Sequence, residues 1–512
     1  MTLAWILFSV YLAGTAWLGW LGYKKTDDFG SFAIGKGDLS PWVVGITLAA
    51  STASAATFII NPGFVYVDGL AAFMHLGLSV YLGFVVMLWI LSFRFRRMGE
   101  EMGALTIPDW IGKRYGSRGF SLYFAFINLL SFAFIVLLVG GISIVMQKLL
   151  GVSNLVALVI TLVFVTGYVL FGGTYAHVFT NVLQGSLMIL VTAVILWTGF
   201  KFMFSADGFR ETIGNQNPDL LRWTNPGSWL YNGLFSTYIS GFCIGGALVC
   251  QPHILTKALY VKSDRAVRNY ILVFSVAFLG FTLLLAAGFW ARAALPAEAF
   301  IDPATGQFRQ DLVMTAYLQH AFPGWMFTLI SVVLLAAAMS TLDGLLVGIS
   351  TITANDLVLN LVNRKNNDPH SRGHQMRLAF RVSHIVLIII AVLVFAVTLH
   401  PPRLLGIFGQ TGVYGLVLAA VPALVGGILF HRPPIRLVWS LSVLSLLTHF
   451  GLFFFGKQWI PGAGLAFENP GVTAAVGLIV GLFPLVGVKL LDSLGFKSSQ
   501  PTPVARQMKN KS

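Results

Sequence analysis

The chain has 512 residues, 56% of them hydrophobic and only 10% charged, with a mean hydropathy of +0.80. Soluble proteins carry about 25% charged residues, so an ordinary soluble domain is excluded and the lipid bilayer is the expected solvent. The net charge of +14 is therefore tested against membrane topology before nucleic acid. Cys243 and Cys250 are too few for a disulfide scaffold or a three- or four-thiolate metal cluster.

A helix crosses the hydrocarbon with roughly 20 apolar residues. Windows of that kind fall near 3–23, 41–68, 70–93, 119–147, 154–172, 177–204, 229–252, 269–291, 325–355, 379–399, 404–430, 437–456 and 471–488, which predicts thirteen spans. The first is too long for the apolar part of a signal peptide and has no small-residue cleavage site before Lys24-Lys25, so it is expected to be kept as a span. With the N-terminus outside, 25 of the 33 Lys and Arg fall in inward loops and 8 outside. The positive-inside rule then predicts an outside N-terminus and a cytoplasmic C-terminus in an inner or plasma membrane, and no nucleic-acid partner is needed to explain the charge. Long helices with short connectors exclude an outer-membrane barrel. The fold class is all-α: one polytopic domain over 1–490, with a basic tail over 491–512.

Four spans carry interior polarity, which is tolerated only where protein or a water-filled cavity surrounds it. The second runs Thr47-Leu48-Ala49-Ala50-Ser51-Thr52-Ala53-Ser54-Ala55-Ala56-Thr57 and then Asn61-Pro62-Gly63, small residues closed by a helix breaker. The seventh holds Gly241, Gly245 and Gly246 near mid-membrane and closes with Gln251-Pro252-His253. In both, close helix packing through small side chains stands beside a broken helix as an explanation. Their five-span separation is the pattern of two inverted repeats, each opening with a discontinuous helix at the transport site.

In the ninth span Ala337, Ser340 and Thr341 stand at i, i+3 and i+4 on one face. Carbonyls and hydroxyls so placed suit a dehydrated alkali cation, although Ser and Thr also bond back to their own helix. Asp343 is an acid in the hydrocarbon zone, read either as part of an ion or proton path or as a buried acid held by hydroxyls. Asn181 and Gln184 lie one turn apart at the start of the sixth span, Asn128 is the polar residue of the fourth, and Gln410-Thr411-Gly412 is a polar island in the eleventh. Asn181 and Gln184 are read as interhelical hydrogen-bonding residues, and Asn128 and the Gln410 island as interhelical glue or as solute contacts. No H-E-x-x-H and no G-x-x-x-x-G-K-[ST] occurs, so neither a zinc hydrolase nor an ATP-driven pump is indicated. His370 and His374 are read as part of a solvated polar loop between spans nine and ten.

Several stretches together resemble the sodium:solute symporter family, which includes bacterial proline, pantothenate, monocarboxylate, sialic acid and sugar carriers. They are Ala50-Ser51-Thr52-Ala53-Ser54 with Pro62-Gly63; Ile107-Pro108-Asp109-Trp110 with Arg114-Tyr115-Gly116-Ser117-Arg118; Gly172-Gly173 with Thr180-Asn181-x-x-Gln184; Gln251-Pro252-His253-Ile254; and Ala337-Ala338-Met339-Ser340-Thr341. The resemblance covers about residues 1–490. It implies a leucine-transporter-type fold with inverted repeats near 41–204 and 229–430, spans 1, 12 and 13 lying outside them. It also implies a sodium site formed by the carbonyls of Ala50, Ala53 and Ala337 and the hydroxyls of Ser340 and Thr341. Where relatives with an additional sodium site have an acid, this chain has Asn181, which argues for one sodium per cycle. Ile244 and Leu248 stand where proline carriers of the family place a Trp and a Tyr, which points away from proline.

No Lys or Arg is expected near the solute cavity, whose candidate lining is Ser54, Thr57, Asn128, Tyr238, Ser240 and Gln410. The expected function is sodium-coupled import of a small organic solute such as an amino acid, monocarboxylate or pantothenate. The rivals are a proton-coupled carrier using Asp343, a solute-sensing membrane module that transports little, and a passive channel.

Overall fold

The computed structural model describes residues 2–37, 39–205, 208–301, 306–359, 369–402, 404–462 and 464–493. Beyond residue 493 the basic tail lies outside the described residues. The described chain is helical, with one isolated bridge between Ile301 and Phe308 and no strand. Ten helices are long and apolar enough to cross a membrane, and two bent pairs raise the number to twelve. The helix Asn154–Ser205 has 52 residues and leaves helical geometry at Gly173 (φ 49°, ψ −135°). Unbroken, at 1.5 Å per residue, it would be more than twice the roughly 30 Å of hydrocarbon. It therefore comprises two spans, 154–172 and 174–205, and each of the thirteen windows has its helix.

Burial sorts these spans. In the ninth, Gly324–Val358, 94% of the apolar window is buried, and in the eleventh, Leu405–Leu429, 89%. The first, Thr2–Tyr23, is 28% buried, the tenth, Phe380–Thr398, 22%, and the last two, Ile435–Trp459 and Pro470–Ser493, 33% each. The ninth and eleventh thus form the centre, and the sparsely buried helices face lipid.

Short motifs of the sequence have local physical causes. Thr106 caps the helix Ile107–Tyr115 by accepting the Asp109 N–H at 3.0 Å, with Pro108 in the first turn, where no intrahelical donor is needed. Gly116 then takes a left-handed conformation (φ 61°), and Ser117 caps the next helix through the Phe120 N–H at 3.2 Å. Arg114 donates to the carbonyls of Gly427 at 2.8 Å and Phe430 at 2.6 Å, tying this turn to the end of the eleventh span.

Two expectations about breaks are corrected in position. The second span bends by 53° between Pro41–Thr52 and Ala56–Asp68; the interruption lies at Ala53 (φ −82°, ψ 77°), ahead of Asn61-Pro62-Gly63. Pro62 lies within the helical arm Ala56–Asp68, just where its wide first turn, Ala56–Ile60, passes into regular α-helix. The seventh span bends by 64° between Phe235–Leu248 and Pro252–Tyr260, after the glycines and not among them. A Cβ on Gly245 would stand 2.0 Å from the Val80 carbonyl oxygen, and one on Gly83 2.0 Å from that of Phe242. These glycines allow the third span, Leu70–Met102, and the seventh to touch backbone to backbone. The chain around His370 and His374 is also helical from Pro369. A span prolonged beyond the membrane needs no apolar residues, so hydropathy does not detect it.

Candidate functional site

At the centre the interrupted second span meets the ninth. The Ser340 hydroxyl donates to the carbonyls of Ala50 at 2.8 Å and Ala337 at 2.7 Å, and the Thr341 hydroxyl donates to the Ser51 carbonyl at 2.9 Å. Ala50, Ala53, Ala337, Ser340 and Thr341 are all fully buried. The break at Ala53 turns its carbonyl off the helix axis. The backbone oxygens of one helix and the hydroxyls of the other therefore converge because the second span stops where the ninth passes. The sixth span joins them: Asn181 Nδ2 donates to Ser51 Oγ at 2.9 Å and to the Ser340 carbonyl at 3.1 Å. Gly185 lets it approach, since a Cβ there would lie 3.1 Å from that of Ala50.

Asp343, just beyond this cluster, is fully buried and accepts from three side chains. They are Tyr168 Oη at 3.0 Å, His177 Nδ1 at 2.8 Å and Thr180 Oγ1 at 3.2 Å. A carboxylate only accepts, so Nδ1 carries the histidine proton and Nε2 is left to accept from the Lys257 ammonium at 2.8 Å. Lys257 does not line the solute cavity, but it is a buried cation where an inward loop was expected. Assigned to an inward loop by charge counting, it stands on the arm Pro252–Tyr260 beyond the seventh-span break and is fully buried. The bend carries that arm back into protein. A lysine with no other formally charged residue in the run Pro252-His253-Ile254-Leu255-Thr256-Lys257-Ala258-Leu259-Tyr260 was the available signal.

Beside the meeting point of the second and ninth spans, and bordered by Ser51 and Thr52 of the second, lies a cavity of about 90 Å³ whose polar lining includes Ser54, Thr57, Asn61, Gln251, His253 and Gln410. Of the six expected solute contacts, Ser54, Thr57 and Gln410 reach it; Asn128, Tyr238 and Ser240 are not among its lining residues. Asn128 begins a tight turn in the fourth span and accepts the Ser131 hydroxyl on its backbone carbonyl at 2.6 Å, while its side-chain Nδ2 is buried without a hydrogen-bond partner among the described residues. Tyr238 donates to the Trp223 carbonyl at 2.9 Å, and Ser240 to that of Ser236 at 2.7 Å. The missed residues are Asn61, Gln251 and His253, whose Oδ1, Oε1 and Nδ1 are buried without a hydrogen-bond partner among the described residues. Such groups are costly in isolation and favour a ligand able to pair with them. No Lys, Arg, Asp or Glu lines this cavity. A larger apolar groove of about 700 Å³, bordered by the exposed Trp42, Leu272 and Val276, lies on the perimeter.

The chain is 25% identical to the sodium/pantothenate symporter of Haemophilus influenzae over 466 residues, covering 89% of this chain and 92% of that one. It is 24% identical to the sodium/proline symporter of Escherichia coli over 498 residues, covering 94% and 93%. Its fold matches that of a Na+-coupled sialic acid symporter in a substrate-bound outward-open state, with a TM-score of 0.70 at 16% identity and coverage of 94% and 97%. The architecture is thus the leucine-transporter type, with two discontinuous helices at its centre. The model of one family spans residues 32–431, from the short helix before the second span to the end of the eleventh: the chain belongs to the sodium:solute symporter family.

Proposed function

We propose that the protein couples the entry of one sodium ion to the import of a small organic solute by alternating access. The observation that carries this reading is the meeting of Ser340 and Thr341 with the carbonyls of Ala50 and Ser51 across the second-span break. A hydroxyl both donates and accepts, so Ser340 and Thr341 can turn lone pairs toward sodium while Ala50, Ala53 and Ala337 offer carbonyls. An ion held by both helices binds the arrangement in which they touch better than one in which they part, and so shifts the population toward it. By linkage, a sodium ion that tightens the solute is tightened equally by it. The repeats near 41–204 and 229–430 would move against each other around this point, in an inner or plasma membrane with the N-terminus outside. The cavity chemistry favours a solute without net charge, or one whose charges are met by backbone groups at the breaks.

The test is the melting temperature of purified protein with amino acids, monocarboxylates, pantothenate and sugars, in NaCl and in KCl at equal ionic strength. A ligand of the folded state raises it by mass action. The reading expects one solute whose shift requires sodium. Uptake driven by a pH gradient without sodium and lost in Asp343→Asn would instead replace sodium by a proton as coupling ion.

A further inference from the structure

Asp343 lies three residues past Ser340, so the two share a face of the ninth span, and consecutive residues of the sixth span serve both: Thr180 donates to the Asp343 carboxylate and Asn181 to the Ser340 carbonyl. Around Asp343 the fold gathers the carboxylate and the hydroxyls of Tyr168 and Thr180, a hard oxygen set of the kind alkali cations use. A carboxylate buried at this depth requires a countercharge. The cation brought to it is Lys257, one neutral imidazole away. The relay is built into the packing: a Cβ on residue 344 would stand 2.8 Å from Cε1 of His177, so Gly344 leaves the space in which the ring lies against the ninth span. A small cavity of about 30 Å³, bordered by His177, His253, Thr256 and Gly344, adjoins the ring.

We propose that Lys257, acting through His177, is the resident counter-cation of Asp343 and holds by its covalent tether a second cation locus beside the candidate sodium site, so that sodium enters this locus only when the ammonium is removed. The inference rests on the sodium reading above for the neighbouring site. The carrier is then a one-sodium device because a lysine supplies the other positive charge.

Binding of radioactive sodium to the purified full-length carrier, without solute, tests this. The wild type is expected to bind one ion per chain, lost in Ser340→Ala. Lys257→Ala is expected to bind two, Lys257→Arg one, and Lys257→Ala with Asp343→Asn one. A folded Lys257→Ala protein that still binds one ion overturns the proposal. So does a Lys257→Ala protein unfolded in sodium and potassium alike whose fold Asp343→Asn restores, since the pair would then be structural alone. Recovery of the fold by sodium but not by potassium supports it. A wild type that binds no sodium, with Lys257→Ala binding one ion that Asp343→Asn removes, sinks the primary site and leaves this inference standing.

Discussion

Ser340 is tied to the second span through Ala50 and to its own helix through Ala337, so its removal should act on the ion more than on the fold. Hydrogen-bonding contacts to a charged group contribute about 1.5–3 kcal/mol, and 1.4 kcal/mol is tenfold in affinity. Ser340→Ala is therefore expected to raise the sodium concentration needed for the solute-dependent melting shift by roughly tenfold to a hundredfold. Unchanged sodium activation would remove this residue from the ion site. Gln251 makes a parallel case for the solute. Its Nε2 donates to the Leu248 carbonyl at 3.1 Å across the start of the break, while its Oε1 is buried without a partner among the described residues. Gln251→Glu keeps the shape and adds a charge to an uncharged cavity, and should abolish the solute-dependent shift while the protein still folds; a retained shift would place the solute elsewhere.

Among the helices, close approach and bends depend on glycine at a few positions. Gly173 needs its positive φ to end one span and begin the next, and a Cβ there would lie 2.4 Å from the Phe32 ring. Gly173→Ala combines a left-handed backbone with that overlap, each costing about 1 kcal/mol or more. A clear fall in melting temperature is expected, and a melting curve equal to wild type would show the break to be set by something other than this residue. The helix Phe29–Ile34, which this break packs against, is capped by Asp28, whose Oδ1 accepts the Ser31 N–H at 2.7 Å. That bond holds the Asp28 carboxyl below its ordinary value of 3.8. A lowered pKa contributes stability above the ordinary value and loses it as pH falls through the folded one. The stability gap between wild type and Asp28→Ala should therefore narrow in acid, which melting curves on either side of the carboxylate range will show.

For the whole molecule, the charge bias makes a definite statement about orientation. In a chain with both native cysteines replaced by alanine, Glu101→Cys, at the exposed end of the third span next to its Arg-rich stretch, should react with an impermeant maleimide only after the cells are opened. Lys457→Cys, at an exposed position before the last span, should react in intact cells. The opposite pattern would invert the topology. The burial of Lys257 removes one charge from the inward loops and leaves the bias intact.

Hydropathy alone determined the thirteen helical windows, because the cost of unpaired backbone in lipid acts on every span independently of its neighbours. Ala337, Ser340 and Thr341 were legible for a similar reason, since helical spacing brings them to one face without any tertiary information. The exact positions of the breaks were not legible: a glycine that bends a helix and one that lets a neighbour touch it read alike, and only the close approach of Gly83 to the Phe242 carbonyl and of Gly245 to the Val80 carbonyl distinguishes them. Tyr238 and Ser240 looked like cavity residues because polarity within a span does not reveal which local carbonyl satisfies a side chain, and Asn128 because it does not reveal which way a side chain turns. The pairing of Asp343 with His177 and Lys257 joins positions 166 and 80 residues apart. Only the tertiary structure could bring those charges together, because the force that pairs them acts through space once three separate helices have excluded water from between them.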